Sequence, residues 1–302
     1  MKYEDINLIG DIYIDSVSGD LNQAIGTDGT DVAWINTENG LSGQRYIFVH
    51  SKGTTVENGT RLTAAYTAAT GLSPADDNRI TIGVMAGYYD VGSGLSMNTP
   101  CINITSLSGE CDVNIFASGS TSAIAVGANN ISLIGLDCGA DIISINGTFD
   151  KNFYINCKCG DKGFSGFGNF GTVQGTFIRC TGGNFSFCGK SVDQTYSVAA
   201  GGTYIDCIGG DYSFGGAETG TGNTASGTFD RCIGGQDAFG GNGLVSGTFT
   251  KCIGEAGSFG GEDGFVGSVY YCILNGTNFN TVDAGGKVIW CIESSGPATN
   301  QS

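Results

Sequence analysis

Asp206, Asp211 and Asp237 stand in a part of the chain that repeats itself, and Asp161, Glu255, Glu262 and Asp263 fall in or near the same repeats. Two carboxyl groups on one surface can break a glycosidic bond. A separation of about 5 to 5.5 Å suits a retaining reaction and roughly 6.5 to 9.5 Å an inverting one. Repeats stacked one or two steps apart supply such distances, so the candidate acids are too many rather than too few. Aligning the repeats also sets Asp206 between Arg179 and Arg231. That arrangement is either a reactive pair or a surface ion ladder, and exposed pairs of this kind contribute only about 0 to 1 kcal/mol each. Other chemistries have less to work with. The sole histidine, His50 in "YIFVHSKG", reads as a half-buried strand residue, which removes a Ser-His-Asp arrangement. The cysteines recur along the chain instead of converging on one point, as the four ligands of a metal site must. No cofactor and no metal are expected.

The spacing of those cysteines describes what must position the acids. Taking Cys157, Cys180, Cys207, Cys232, Cys252 and Cys272 as origins, a phenylalanine follows seven residues later each time: Phe164, Phe187, Phe214, Phe239, Phe259 and Phe279. Glycine stands five residues before the last five of these cysteines and before Cys291. The unit reads G-T-[FY]-x-x-C-[IT]-G-G-x-x-x-F-G-G, as in "GTYIDCIGGDYSFGG" and "GTFDRCIGGQDAFGG". A period of this size means a solenoid, either a leucine-rich horseshoe or a β-helix. The units hold almost no leucine and carry Gly-Gly corners with aromatic and β-branched strand residues, which selects one coil of a parallel β-helix per unit. Like residues then stack about 4.8 Å apart along the axis. The aromatic three places before the cysteine and the cysteine itself have opposite parity, so a bend or bulge must separate them if both are buried. Most of the cysteines are expected to be small buried hydrophobes and free thiols. A column of Thr176, Thr203, Thr228 and Thr248, continued by Ser268, reads as a hydrogen-bonded ladder.

Composition agrees. Of 302 residues, 53 are glycine and only 3 proline, which suits many turns between short strands and disfavours long helices. A net charge of -16 with 13 Lys and Arg excludes the basic clustering that nucleic acid requires. No apolar run is long enough to insert in a membrane, and "MKYEDINLIGDIYID" lacks the basic and apolar regions of a secretory signal.

Alternating apolar and polar residues over 102–145 place coils before the clear repeat, and 58–91 reads as a helix near 60–71, with Thr60 as N-cap, followed by the strand "ITIGVMAG". A helix there would cover the open end of the first coil. A capping helix, then "SPADDNRITIGVMAGYYDV", then stacked coils resembles the pectate-lyase-like right-handed β-helix superfamily, in particular the forms carried by bacteriophage tail spikes and virion fibres. The stretch "IGDIYIDSVSGDLNQAIGTDGTDVAWI" is similar to the short β-rich modules that precede fibre domains in phage structural proteins.

The expected fold is therefore all-β, a right-handed single-stranded parallel β-helix over 58–291. A β-rich attachment module over 1–57 precedes it and a tail over 292–302 follows. The resemblance implies a virion location, a homotrimer, and contacts of residues 1–57 with other virion proteins. It also implies either adhesion to a cell-surface glycan or its cleavage by a polysaccharide depolymerase using Asp or Glu. Segments between the phenylalanine and the next glycine vary in length while the cysteine-to-phenylalanine spacing is constant, so they should form a recognition surface at one corner. Asp193, Tyr196 and Glu218 are the expected binding residues there, with Asp206, Asp211 and Asp237 as candidate catalytic acids for the cleaving alternative.

Overall fold

The structure, a computed structural model, describes residues 32–36, 45–109, 111–120, 122–145, 149–164, 171–187, 198–215, 224–240, 244–259, 266–274, 286–289 and 291–293. These build a β-solenoid. Its longest sheet has 12 strands, from Val32–Asn36 and Arg45–Val49 through Ile80–Val84, Ile102–Ser106, Ser132–Ile134 and Phe153–Ile155 to Lys287–Ile289. Val32–Asn36 pairs antiparallel with Arg45–Val49; every later neighbour in that sheet is parallel. Shorter parallel sheets of three and four strands form the remaining sides.

The helix spans Thr55–Gly71, five residues earlier at its start than the sequence suggested. Its N-cap is Thr54, which forms a capping box with Glu57: the Glu57 N–H donates to Thr54 Oγ1 at 3.3 Å and the Thr54 N–H to Glu57 Oε2 at 2.7 Å. Thr60 lies inside the helix and its hydroxyl donates to the Val56 carbonyl at 2.9 Å. The buried face is Asn58, Gly59, Leu62, Ala65, Tyr66 and Ala69, a spacing of three and four that turns one stripe toward Gly87–Asp90. The sheet also continues past the expected start of the solenoid, because Arg45–Val49 is already in parallel register with Ile80–Val84.

In the repeats the bend required by the parity of the aromatic and the cysteine falls on the residue just before the cysteine. Asn156, Arg179, Asp206, Arg231, Lys251 and Tyr271 all take positive φ, between 52° and 56°. None is glycine, and a left-handed conformation costs such residues about 1 to 2 kcal/mol each. The return is that both flanking positions point inward. Tyr154, Phe177, Tyr204, Phe229 and Phe249 stack face to face with centroids 4.6 to 4.9 Å apart. A second stack of Phe164, Phe187, Phe214, Phe239 and Phe259 has centroids 4.8 to 5.0 Å apart. The two columns meet edge to face.

The cysteines form a third inward column. Cys157, Cys180, Cys207, Cys232, Cys252, Cys272 and Cys291 are free thiols and at most 2% exposed. Each sulfur leans on a backbone carbonyl of the coil below and on another of its own coil, as when Cys207 Sγ donates to the Phe177 and Ile205 carbonyls, each at 3.4 Å. Burial holds the Cys180 and Cys232 thiols well above the usual range, so they lack the thiolate needed for reaction. Cys111, by contrast, is exposed. In native protein, Ellman's reagent should modify Cys111 while Cys180, Cys207, Cys232, Cys252 and Cys272 stay silent until denaturant is added. Peptide mapping of the modified sites checks this, and native labelling of Cys232 would contradict the column.

Candidate functional site

One side of each repeat coil runs between two left-handed residues. The first is the residue before the cysteine. The second is the fifth residue after it: Lys162, Phe185, Tyr212, Asp237 and Gly257, with φ from 51° to 76°. Just before this second bend the fourth residues form a ladder from side chain to backbone. Asp161 Oδ1 accepts the Asn184 N–H, Asn184 Oδ1 accepts the Asp211 N–H, and Asp211 Oδ1 accepts the Gln236 N–H, each at 2.9 Å. The ladder explains the second glycine of each Gly-Gly pair. A β-carbon on Gly183, Gly210 or Gly235 would lie 2.2 to 2.3 Å from the accepting oxygen of the coil before.

The three candidate acids therefore have different fates. Asp206, on the first bend, is clamped by Arg231, whose Nε and Nη2 donate to its two oxygens at 2.6 and 3.1 Å. Arg179 turns instead to Asn156 Oδ1 at 2.8 Å, so Asp206 is bonded on one side only. The bond from Arg231 holds its carboxyl below the ordinary value, a poor state for a proton donor. Asp211 gives one oxygen to the ladder. Asp237 differs: burial pushes its carboxyl up, a bond from Gln236 Nε2 at 3.1 Å opposes this, and the charge of Asp211 adds to the rise. Asp211 and Asp237 are brought together at the corner, while Asp206 lies across the coil at the other bend.

Beside this acid pair stand two residues that sequence reasoning did not single out. Phe185 and Tyr212 occupy the same left-handed column as Asp237, half-buried and stacked with centroids 5.0 Å apart and an interplanar angle of 10°. Their signal was present as the aromatic two places before the repeated phenylalanine, in "FSF" and "YSF". A polar rim of Asp211, Gln236 and Asp237 next to aromatic edges can bind hydroxyl-rich ligands, and the raised Asp237 beside Asp211 has the makings of an acid and a carboxylate partner.

Asp193, Tyr196 and Glu218 lie outside the described residues, and so does Cys188. What is described are the anchors of their segments: Phe187 and Val198–Ala200 for the first, Gly215 and Thr224–Ala225 for the second. These anchors are in register, since Ala199 pairs with Thr224 and Ala200 with Ala225. Among the described residues no group of three or more His, Cys, Asp or Glu could hold a metal ion, and no helix is long and apolar enough to cross a membrane. Comparison with protein-family models, curated proteins and solved structures finds no match for this chain.

The raised Asp237 carboxyl has a consequence for stability. Its folded value exceeds its unfolded one, so the folded state gives up stability as pH rises above the ordinary aspartate range. Asp237→Asn should raise the melting temperature at pH 7 and leave it unchanged at pH 3. A thermal melt at the two pH values checks this, and equal shifts at both would remove the pH-dependent origin.

Proposed function

We propose that this chain is a surface-recognition spike of the virion fibre type, binding a cell-surface glycan through the segments at one corner of the solenoid. One observation carries this reading. A frame with in-register columns is interrupted, at the same place in successive coils, by segments whose phenylalanine-to-glycine spacing runs from 7 to 15 residues. Length variation confined to one place in a rigid array is how repeat proteins tune binding without altering the frame. In this reading the residues before Arg45, where the solenoid sheet is already in parallel register, face other virion proteins.

Deleting residues 190–196 tests it. The deletion stops short of Val198–Ala200 because Ala200 is fully buried in a strand. Shortening a connection changes closure entropy by less than about 1 kcal/mol, so the variant should melt near the wild type. It should lose at least tenfold in retention on an array of bacterial surface polysaccharides. Unchanged retention would overturn the proposal.

The raised Asp237 beside Asp211 favours a second reading, glycan cleavage. In that case wild-type protein releases reducing ends from a bound polysaccharide and Asp237→Asn abolishes the release while retaining adsorption.

A further inference from the structure

The side of the repeat coils between the two bends carries an apolar ridge. Ile208, Ile233, Ile273 and Ile292, the residues after the cysteines, are 40 to 59% exposed, and Ile253 completes their row. Their register is continuous: Ile208 bridges Ile233, which pairs with Ile253, then Ile273, then Ile292. Tyr271, on the flank of the ridge, is also exposed. Five stacked isoleucines in water are a feature that monomers rarely keep.

Charge says what covers them. In the coil of Ile253 the outward residues are Lys251 on one flank and Glu255 on the other, both exposed, with Ile253 between them. Among the described residues neither side chain has an ion-pair partner. We infer that this face binds a second copy of the chain, the two solenoids side by side and parallel, related by a two-fold axis running along the ridge. Rotation about that axis exchanges the flanks, so Lys251 of each copy meets Glu255 of the other while Ile253 meets Ile253. An antiparallel pair, with its axis across the ridge, would set Lys251 against Lys251 and Glu255 against Glu255. In the coil of Ile208 the position equivalent to Glu255 is Gly210, so Asp206, already neutralised by Arg231, meets no second carboxylate at that position. A ridge stepped at one residue per coil matches a surface with the same step, which another copy supplies. The inference is independent of the spike proposal, and it replaces the homotrimer expected from the resemblance with a two-fold pair.

Sedimentation velocity of the full chain tests it. Wild type should run at twice the chain mass. Lys251→Glu and Glu255→Lys should each weaken dimerisation at least tenfold, and the double variant K251E/E255K should restore it to within about threefold. Ile233→Lys should give a folded monomer with the circular dichroism spectrum of the wild type and a melting temperature lowered only by the lost association. A wild-type monomer or trimer would overturn the inference, as would a folded double variant that fails to recover dimerisation.

Discussion

Gly227→Ala is expected to destabilise the solenoid by more than about 4 kcal/mol, the range reserved for substitutions that the surroundings cannot absorb. A β-carbon built on Gly227 lies 2.3 Å from the Gly202 carbonyl oxygen and 3.1 Å from the Ala200 carbonyl. Both obstacles are backbone, and Thr228 on one side and Thr203 on the other are pinned in the long sheet. Relief would require the coils to part at this corner, and the same contact recurs at Gly247 and Gly267 one coil at a time. Gly71→Ala is the control, because nothing lies within 4 Å of its would-be β-carbon at the helix end. It should be neutral or stabilising by up to about 1 kcal/mol. Urea midpoints for the two variants measure the difference, and a Gly227→Ala protein as stable as wild type would mean the coils are not in van der Waals contact there.

Phe229→Ala should cost about 3 to 5 kcal/mol from lost burial and the cavity left behind, with up to about 1 kcal/mol more for each aromatic contact removed. Phe229 is fully buried and stacks on Tyr204 at 4.9 Å and on Phe249 at 4.6 Å. It also meets Phe214 and Phe239 edge to face at 5.8 Å. The ring has two neighbours in its own stack and two in the facing one, and neither stack can close the gap its removal leaves. Phe229→Leu should recover part of the loss, since it fills volume without restoring the stacking. Chemical denaturation of both variants provides the check. A loss below about 1 kcal/mol for the alanine variant would contradict the packed double stack.

The aromatic and cysteine columns were legible because each is written with one residue type at one spacing. The ladder of Asp161, Asn184, Asp211 and Gln236 was not. Its identity changes from coil to coil, and the side chains of its first three members bind the backbone of the following coil, a contact that no spacing within one unit reveals. The bend before the cysteine was required by parity, but its residues, Asn, Arg, Asp, Arg, Lys and Tyr, carry no glycine to mark a positive φ. The sequence pattern places the N-cap at Thr60; the capping box between Thr54 and Glu57 sets it six residues earlier. The early strand Arg45–Val49 lies before the helix, so its parallel partner Ile80–Val84 is set by tertiary register and not by the repeat. Of the candidate acids, sequence placed Asp206 correctly beside Arg231. It could not tell that burial raises the Asp237 carboxyl while the bond from Arg231 lowers that of Asp206.

The claim that joins these findings is a division of labour: the repeated columns hold the frame, and recognition belongs to the segments between them. A paired scan of folded abundance and of retention on an array of bacterial surface polysaccharides, over residues 153–293, tests it most directly. Substitutions at the glycine, aromatic, cysteine and Asp211 ladder positions should lower retention only as far as they lower abundance. Substitutions in 188–197 and 216–223 should lower retention with abundance intact. If retention is instead lost, at full abundance, through substitutions at Asp206, Asp211 or the Thr176 to Ser268 column, the frame itself is the binding surface and the account is wrong.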